Sequence, residues 1–205
     1  MSMLRALTLL LSLAFAATPI VAAEAPKGMV LLPSAGESGQ SNRGPLDPHE
    51  DGFLKFQERS FEKAFTFNRE MLEALPQHEI TVDAEGWPRA HKLKGPLVSD
   101  VLKLAGAGGK TVVFYALDGF ATRFEPQELK DHEWVLAHSA DGHPLGIGGG
   151  GGPWGGDGGP HGGGAHPLGI GGRGPLWMAY DVPTGKASKD EEGHWAWAIF
   201  YAEVE

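Results

Sequence analysis

The seven residues His-Pro-Leu-Gly-Ile-Gly-Gly occur twice in the chain, at positions 143–149 and again at positions 166–172. The first unit of this repeat, residues 143–165, holds 13 of the 31 glycines. Two copies are too few for a repeat fold, which needs at least three stacked units to bury a core. Glycine is costly to order, whereas the cost of closing a loop grows only slowly with loop length. The repeat therefore predicts a Gly-rich duplicated loop over residues 143–174, inserted into an otherwise ordinary domain.

Length, charge and cysteine content exclude several classes of protein. A chain of 205 residues suits one domain, and its formal net charge is −9. This acidic balance argues against a non-specific nucleic-acid binder, which needs a basic face to displace counterions. The chain has no Cys, which excludes disulfides, thiolate metal sites and a Cys nucleophile.

The first 23 residues have the pattern of a secretory signal peptide. Arg5 precedes an apolar stretch over residues 7–17, and small residues stand before Glu24. The apolar stretch is short for a membrane span, and Pro19 follows it; an uncleaved anchor is the alternative reading. The pattern predicts a periplasmic or secreted protein with no stable membrane span after cleavage.

Residues 24–64 lack an apolar period and are rich in Pro, Gly and polar residues. This composition predicts a flexible N-terminal arm. Within and just beyond it, four phenylalanines between residues 53 and 65 are compatible with a short helix that packs one side on the domain.

From residue 65 onward, short apolar runs alternate with turn residues. Helices are expected at 69–75, capped by Asn68, and at 97–105, closed by Gly106 or Gly108, with one helical turn at 126–130. Strands are expected at 65–67, 78–82, 111–117, 120–124, 134–138, 177–181 and 195–204. Strands and helices do not alternate regularly, which favours the α+β class over α/β.

Several short motifs occur in a characteristic order in this part of the chain. They are Leu-Pro-Gln at 75–77, Trp87, Lys-Gly-Pro-Leu-Val-Ser-Asp-Val-Leu at 94–102, Ala-Leu-Asp-Gly-Phe at 116–120, Asp-Gly-His-Pro-Leu at 141–145, Gly-Pro-Leu-Trp at 174–177, and Trp-Ala-Trp at 195–197. With the duplication removed, residues 65–205 resemble the molybdopterin-binding domain of the sulfite oxidase-like oxidoreductases, and most of all its small exported members. The resemblance implies a mixed α+β domain with short helices and a cleft that holds a molybdenum cofactor in the larger members.

In that family a Cys thiolate binds molybdenum in the segment that corresponds here to residues 81–94. This segment contains no Cys. The resemblance therefore implies an oxidoreductase-like domain without the molybdenum-ligating residue. Molybdopterin stays open as a cofactor, because Arg or Lys side chains could hold its phosphate.

Two sets of residues are candidates for binding. Basic residues suit an anionic group, and a carboxylate or a phenol in the cleft could orient a ligand; the candidates for a cofactor or ligand are Arg89, His91, Asp118, Arg123, Arg173 and Tyr180. Neutral imidazole is a common ligand of zinc, copper and nickel, and the Gly-rich loop carries His143, His161 and His166 as candidates for metal.

Three functions are compatible with these features. The first is an active cofactor-dependent oxidoreductase, the second is a module that binds a small ligand or a periplasmic partner protein, and the third is metal capture by the Gly/His loop. The missing Cys favours the second over the first. Trp87, Trp177, Trp195 and Trp197 are expected in the core or in the cleft wall, because burial is the commoner use of large aromatic side chains.

Overall fold

A computed structural model describes residues 24–146 and 173–205. The expected signal peptide, His161, His166 and most of the duplicated loop lie outside these residues. The strands are β1 Val30–Gly36, β2 Ala64–Asn68, β3 Gln77–Val82, β4 His91–Pro96, β5 Val112–Ala116, β6 Ala121–Phe124, β7 Val135–Ala137, β8 Ser139–Ala140, β9 His143–Pro144, β10 Trp177–Ala179 and β11 Ile199–Val204. The helices are α1 Gly52–Phe56, α2 Arg69–Ala74, α3 Val98–Leu104, α4 Glu128–Asp131 and α5 Lys189–Glu192.

The strands form three sheets. The largest has the order β2-β1-β11-β5-β6, in which β1 and β11 are parallel and the other neighbours antiparallel. A second sheet has the order β3-β4-β8-β9, and β7 pairs with β10. Short helices and antiparallel sheets make this a mixed α+β fold, as the sequence predicts.

The prediction of a flexible arm over residues 24–64 is wrong, because this segment supplies an inner strand of the largest sheet. In β1 the side chains of Leu31, Leu32 and Ala35 are buried, and the strand is paired on both sides. Opposite Pro33, the Thr66 N–H donates to the Asn42 Oδ1 atom and the Thr66 carbonyl accepts a hydrogen bond from the Asn42 Nδ2 group, so Thr66 needs no N–H from Pro33. Pro and Gly residues interrupt the apolar pattern of this segment, so the sequence did not predict the strand.

The expected helix over residues 53–65 is also shorter than predicted. Helix α1 ends at Phe56, which is 80% exposed, and Phe53 is 42% exposed. Phe61 and Phe65 are buried elsewhere, the latter in β2. The four rings therefore do not share one helical face.

The local predictions downstream agree well with the structure. The Asn68 side chain accepts a hydrogen bond from the Met71 backbone N–H and caps α2, and Gly106 follows α3 with a φ of +70°. Strand β4 was missed by the sequence analysis, although His91 and Leu93 alternate with exposed Lys92 and Lys94 in a period of two.

The last strand begins later than the sequence predicts. The extended ladder of β11 starts at Ile199, because Ala198 adopts a φ of +51° and breaks the extended chain. Trp195 and Trp197 consequently lie ahead of the strand, outside the regular ladder. Among the described residues, no helix has the length and apolar character needed to cross a bilayer.

Candidate functional site

The guanidinium group of Arg173, near the C-terminal end of the duplicated loop, lies among three indole rings. The Arg173 guanidinium carbon lies 4.5 Å from the ring centroid of Trp87, 4.6 Å from that of Trp177 and 4.4 Å from that of Trp197. We call these three rings the tryptophan cage. Burial lowers the pKa of Arg173 to about 10, an effect opposed by the nearby Glu192 carboxylate. The side chain remains charged at neutral pH and is held by the electron-rich ring faces.

Distant parts of the chain build the cage. Trp87 comes from the connection between β3 and β4, Trp177 opens β10, and Trp197 precedes β11. The Arg173 carbonyl accepts a hydrogen bond from the Ala198 N–H, so the arginine backbone is tied to the segment that carries Trp197. Tertiary packing alone brings these rings together.

A groove of about 410 Å³ opens beside the cage. Its walls are Asp118, Phe120, Lys189, Glu192, Gly193, Trp195 and Trp197. Trp197 belongs to both the groove and the cage. The Glu192 Oε1 atom accepts a 2.9 Å hydrogen bond from the Trp87 Nε1–H, and the Asp118 Oδ1 atom accepts a 3.0 Å hydrogen bond from the Phe120 N–H. Both carboxylates are therefore oriented by protein donors.

A second cluster of polar side chains, formed by Arg89, His91 and Asp141, contacts Trp87 through His91. The Asp141 carboxylate accepts hydrogen bonds from His91 Nδ1 at 3.0 Å and from the Lys92 N–H at 2.9 Å, and it pairs with Arg89 at 3.2 Å. Partial burial raises the pKa of Asp141, but the hydrogen bond from His91 and the Lys92 N–H outweigh burial and lower it. The carboxylate is therefore ionised at neutral pH.

His91 is buried, with 2% of its surface exposed, and its ring centroid lies 5.7 Å from that of Trp87. Burial lowers the pKa of His91, against the opposing effect of the Asp141 carboxylate. At neutral pH the ring is therefore neutral and donates its Nδ1 proton to Asp141. The Asp141 carboxylate thus fixes the orientation of the buried His91 ring.

The structure divides the six candidate ligand-binding residues among several places. Arg89 and His91 share Asp141, while Arg173 lies in the cage and Asp118 in the adjoining groove. The remaining candidates, Arg123 and Tyr180, are in neither the cage nor the groove lining.

Arg123 lies in edge strand β6 and pairs with Glu125 and, at 2.8 Å, with Glu205. Tyr180 stacks on His132 with ring centroids 3.8 Å apart, next to Trp134 and Trp195. His132 in turn lines a second, polar cavity of about 550 Å³. Tyr180 thus contacts Trp195, which lines the groove, but does not line the groove itself.

Of the three histidines predicted to bind metal, only His143 belongs to the described residues, where it is exposed in the short strand β9. Across residues 24–146 and 173–205, no cluster of three or more His, Asp or Glu side chains has a geometry suited to a metal ion. Metal capture by the loop stays a prediction, because His161 and His166 lie outside these residues.

Two carboxylates of this region were not predicted to bind a cofactor or ligand. Glu192 belongs to a charged run at 189–192 that is typical of a solvated helix, and Asp141 has the pattern of a turn residue. The sequence signal for Asp141 is the Asp-Gly pair itself, which is typical of a tight turn. In the structure both residues have positive φ, 51° and 79°, and the Asp141 carboxylate is hydrogen-bonded to β4. No local signal reveals that Glu192 meets Trp87.

The residues in this region do not fit a molybdenum cofactor. No thiolate is available anywhere in the chain. The arginines that would hold a phosphate are engaged by protein groups: Arg89 by Asp141, Arg123 by two glutamates and Arg173 by the cage.

No protein-family model matches the chain, and a search of the curated proteins finds no match. The geometry of the described residues therefore carries the functional argument.

The two buried histidines predict a pH dependence of folding stability. Burial lowers the pKa of both His91 and His138 below the ordinary value of 6.5. As the pH falls below 6.5, the unfolded chain takes up these protons before the native protein does. The contribution of the two histidines to the free energy of unfolding is therefore fully present above pH 6.5 and declines below it. Each proton lowers the free energy of unfolding by at most about 1.4 kcal/mol per pH unit.

We expect urea unfolding between pH 7 and pH 5 to show this decline, and we expect a shallower decline for His91→Gln. The exposed His49→Gln is the matched control. An unchanged slope in the His91 variant would show that its protonation is not linked to folding.

Proposed function

We propose that this chain is an exported binding module that takes a small ligand in the groove beside the tryptophan cage and performs no molybdenum catalysis. The signal-like pattern of residues 1–23 supports export. The module uses a domain similar to the molybdopterin-binding domain of the sulfite oxidase-like oxidoreductases, in which other residues occupy the place of the thiolate.

The groove itself is the observation that carries this proposal. It combines apolar walls from Phe120, Trp195 and Trp197 with a few oriented polar groups, which is the usual character of a ligand site, and its volume is of the usual size. The Asp118 and Glu192 carboxylates are already held by protein donors. Binding of a ligand therefore costs little side-chain entropy, because these groups are already ordered.

Arg173 supports the groove wall from behind. Its guanidinium packs on Trp197, whose ring also lines the groove. Because a long side chain fixed between three rings restrains all of them, the cage keeps the aromatic wall in one orientation. Arg173 therefore positions the aromatic wall of the groove and does not contact an anion directly.

The proposal is tested on the full chain purified from the exported compartment. We expect native mass spectrometry to show a small-molecule adduct at about one per chain, which is absent from Phe120→Ala and present in Phe56→Ala, a second exposed phenylalanine outside the groove. Molybdenum analysis and extraction of the cofactor accompany the experiment. Bound molybdopterin, or an adduct that Phe120→Ala leaves unchanged, would overturn the proposal.

A further inference from the structure

One edge of the four-stranded sheet has no partner strand among the described residues. Strand β3 stands at the end of the order β3-β4-β8-β9, and its inner edge pairs with β4 from Gln77 to Val82. Across residues 24–146 and 173–205, no backbone group outside β4 is hydrogen-bonded to the backbone of residues 78–81. The free N–H and C=O groups of an edge strand are a template on which an extended segment can add as a further strand.

The second cavity, of about 550 Å³, lies along this free edge. Three consecutive residues of β3 line it, namely His78, Glu79 and Ile80. Because successive side chains of a strand point to opposite faces, a cavity that all three reach lies at an edge of the strand, and β4 occupies the other edge. A segment that adds to β3 therefore brings its side chains to this cavity.

The cavity is lined by acidic side chains and by no Lys or Arg. Its four carboxylates belong to Glu79, Asp131, Glu133 and Asp181. Glu79 pairs with Lys92 at 3.6 Å, but both side chains are more than half exposed, so this ion pair contributes little and is easily exchanged. In the described part of the chain, the other three carboxylates form no ion pair with a Lys or Arg. The cavity therefore favours a cationic group.

The apolar part of the lining indicates which kind of cation fits. Ile80, Leu97 and Val182 contribute aliphatic surface, and the His132 ring is stacked on Tyr180 with centroids 3.8 Å apart. Arg and Lys side chains combine an aliphatic stem with a charged end, and they bury the stem along apolar surface while the charge reaches polar groups. The lining therefore matches the side chain of a basic residue.

A second copy of this chain is a poor occupant of the edge. It brings the same carboxylates to the same strand, and the net charge of each copy is −9. Like charges opposite one another on paired strands are destabilising, and charged side chains commonly protect edge strands from self-association. A segment of opposite charge replaces this repulsion by attraction.

We propose that the free edge of β3 and the second cavity form a docking site for an extended basic segment of a partner protein. The backbone of the segment pairs with the free N–H and C=O groups of β3, and one of its Arg or Lys side chains enters the cavity toward Glu133 and Asp181. This site shares no lining residue with the groove beside the tryptophan cage and does not depend on a ligand there.

The test uses the full chain and a capped peptide in which Arg and Val alternate. Isothermal titration calorimetry measures binding, and hydrogen–deuterium exchange followed by NMR reports on individual amides. We expect saturable binding that slows the exchange of amide protons within residues 78–81. The double variant Glu133→Gln/Asp181→Asn is expected to weaken binding about tenfold or more, because it removes two carboxylates of the cavity. The matched control Glu50→Gln/Glu62→Gln removes the same charge from exposed positions outside the cavity and keeps the wild-type affinity.

Two further peptides separate charge from strand pairing. One carries Glu in place of Arg, and the other keeps Arg and Val but has alternate backbone amides N-methylated; we expect both to bind about tenfold more weakly or worse. An equal loss of affinity in the two double variants would show that binding reports only the overall charge. Full affinity of the N-methylated peptide without protection of the β3 amides would exclude strand addition.

The remaining outcomes also decide the proposal. Absence of saturable binding up to about millimolar peptide overturns it. Protection of the same amides in a dimer of the chain, detected by analytical ultracentrifugation, would assign the edge to a second copy and overturn it as well.

Discussion

Arg173→Ala is expected to lower the free energy of unfolding by about 3 kcal/mol, and with it the midpoint of thermal unfolding by roughly 6–12 °C. The substitution removes a cation that contacts three indole rings and leaves a void between them. Differential scanning calorimetry and urea unfolding followed by tryptophan fluorescence measure the loss. The rings of the cage lose their common partner, so we also expect a shift in tryptophan emission before unfolding.

Two further variants separate charge from packing. Arg173→Met keeps much of the side-chain length but removes the charge, and we expect it to lie between the wild type and Arg173→Ala. Arg123→Ala removes an arginine with two exposed ion pairs, which rarely contribute measurably, so we expect its unfolding midpoint to stay near that of the wild type. A Met variant as stable as the wild type would mean that the cage needs only an apolar filler. An Ala variant as stable as Arg123→Ala would mean that the cage contributes nothing.

Gly95→Ala is expected to destabilise the protein by about 3 kcal/mol or more, or to prevent it from accumulating in the folded form. Gly95 lies in β4, where a Cβ atom would meet the Leu136 carbonyl oxygen at 2.1 Å and the Ala137 Cα at 2.7 Å. Neither atom is on a flexible side chain, so β4 must separate from β7 to relieve the contact. Circular dichroism and urea unfolding of the full chain give the measurement.

Gly108→Ala is the matched control for Gly95→Ala. The nearest atom to its Cβ would be the Lys103 Cα at an ordinary 3.8 Å, so we expect a change of less than about 1 kcal/mol. A displacement of β4 also moves His91 at the start of the same strand, away from Asp141. Surviving folded Gly95→Ala protein should therefore show an altered His91 imidazole resonance in NMR spectra. Equal stability of the two glycine variants would contradict the close packing of β4 on β7.

Local sequence patterns were sufficient for most elements between residues 64 and 137. Asn68 marks the start of α2, and the apolar face of residues 97–105 marks α3, because caps and periodicity act within a few residues of the chain. The segment over 30–36 could not be read in this way. Pro and Gly interrupt its apolar pattern, and its partners in the sheet, β2 and β11, are distant in sequence.

Arg89, His91, Asp118 and Arg173 were named from the sequence as candidates for binding a cofactor or ligand, and that role stays a prediction. In the structure Arg89 and His91 contact the Asp141 carboxylate, Arg173 lies in the cage and Asp118 lines the adjoining groove. Asp141 and Glu192 were not among the residues predicted to bind a cofactor or ligand. A carboxylate in a turn or in a charged run has the same local pattern whether or not a distant N–H approaches it.

The repeat, the composition and the local motifs by themselves determined the α+β class, the position of the Gly-rich duplication and the absence of any thiolate. These properties depend on residue identity or on neighbours a few positions away. Only the tertiary structure decided that Arg173, predicted to meet an anion, lies instead among Trp87, Trp177 and Trp197. The reason is physical: a buried cation is stabilised by whichever partner the fold places against it, and three rings from separate parts of the chain converge only once the sheets have packed.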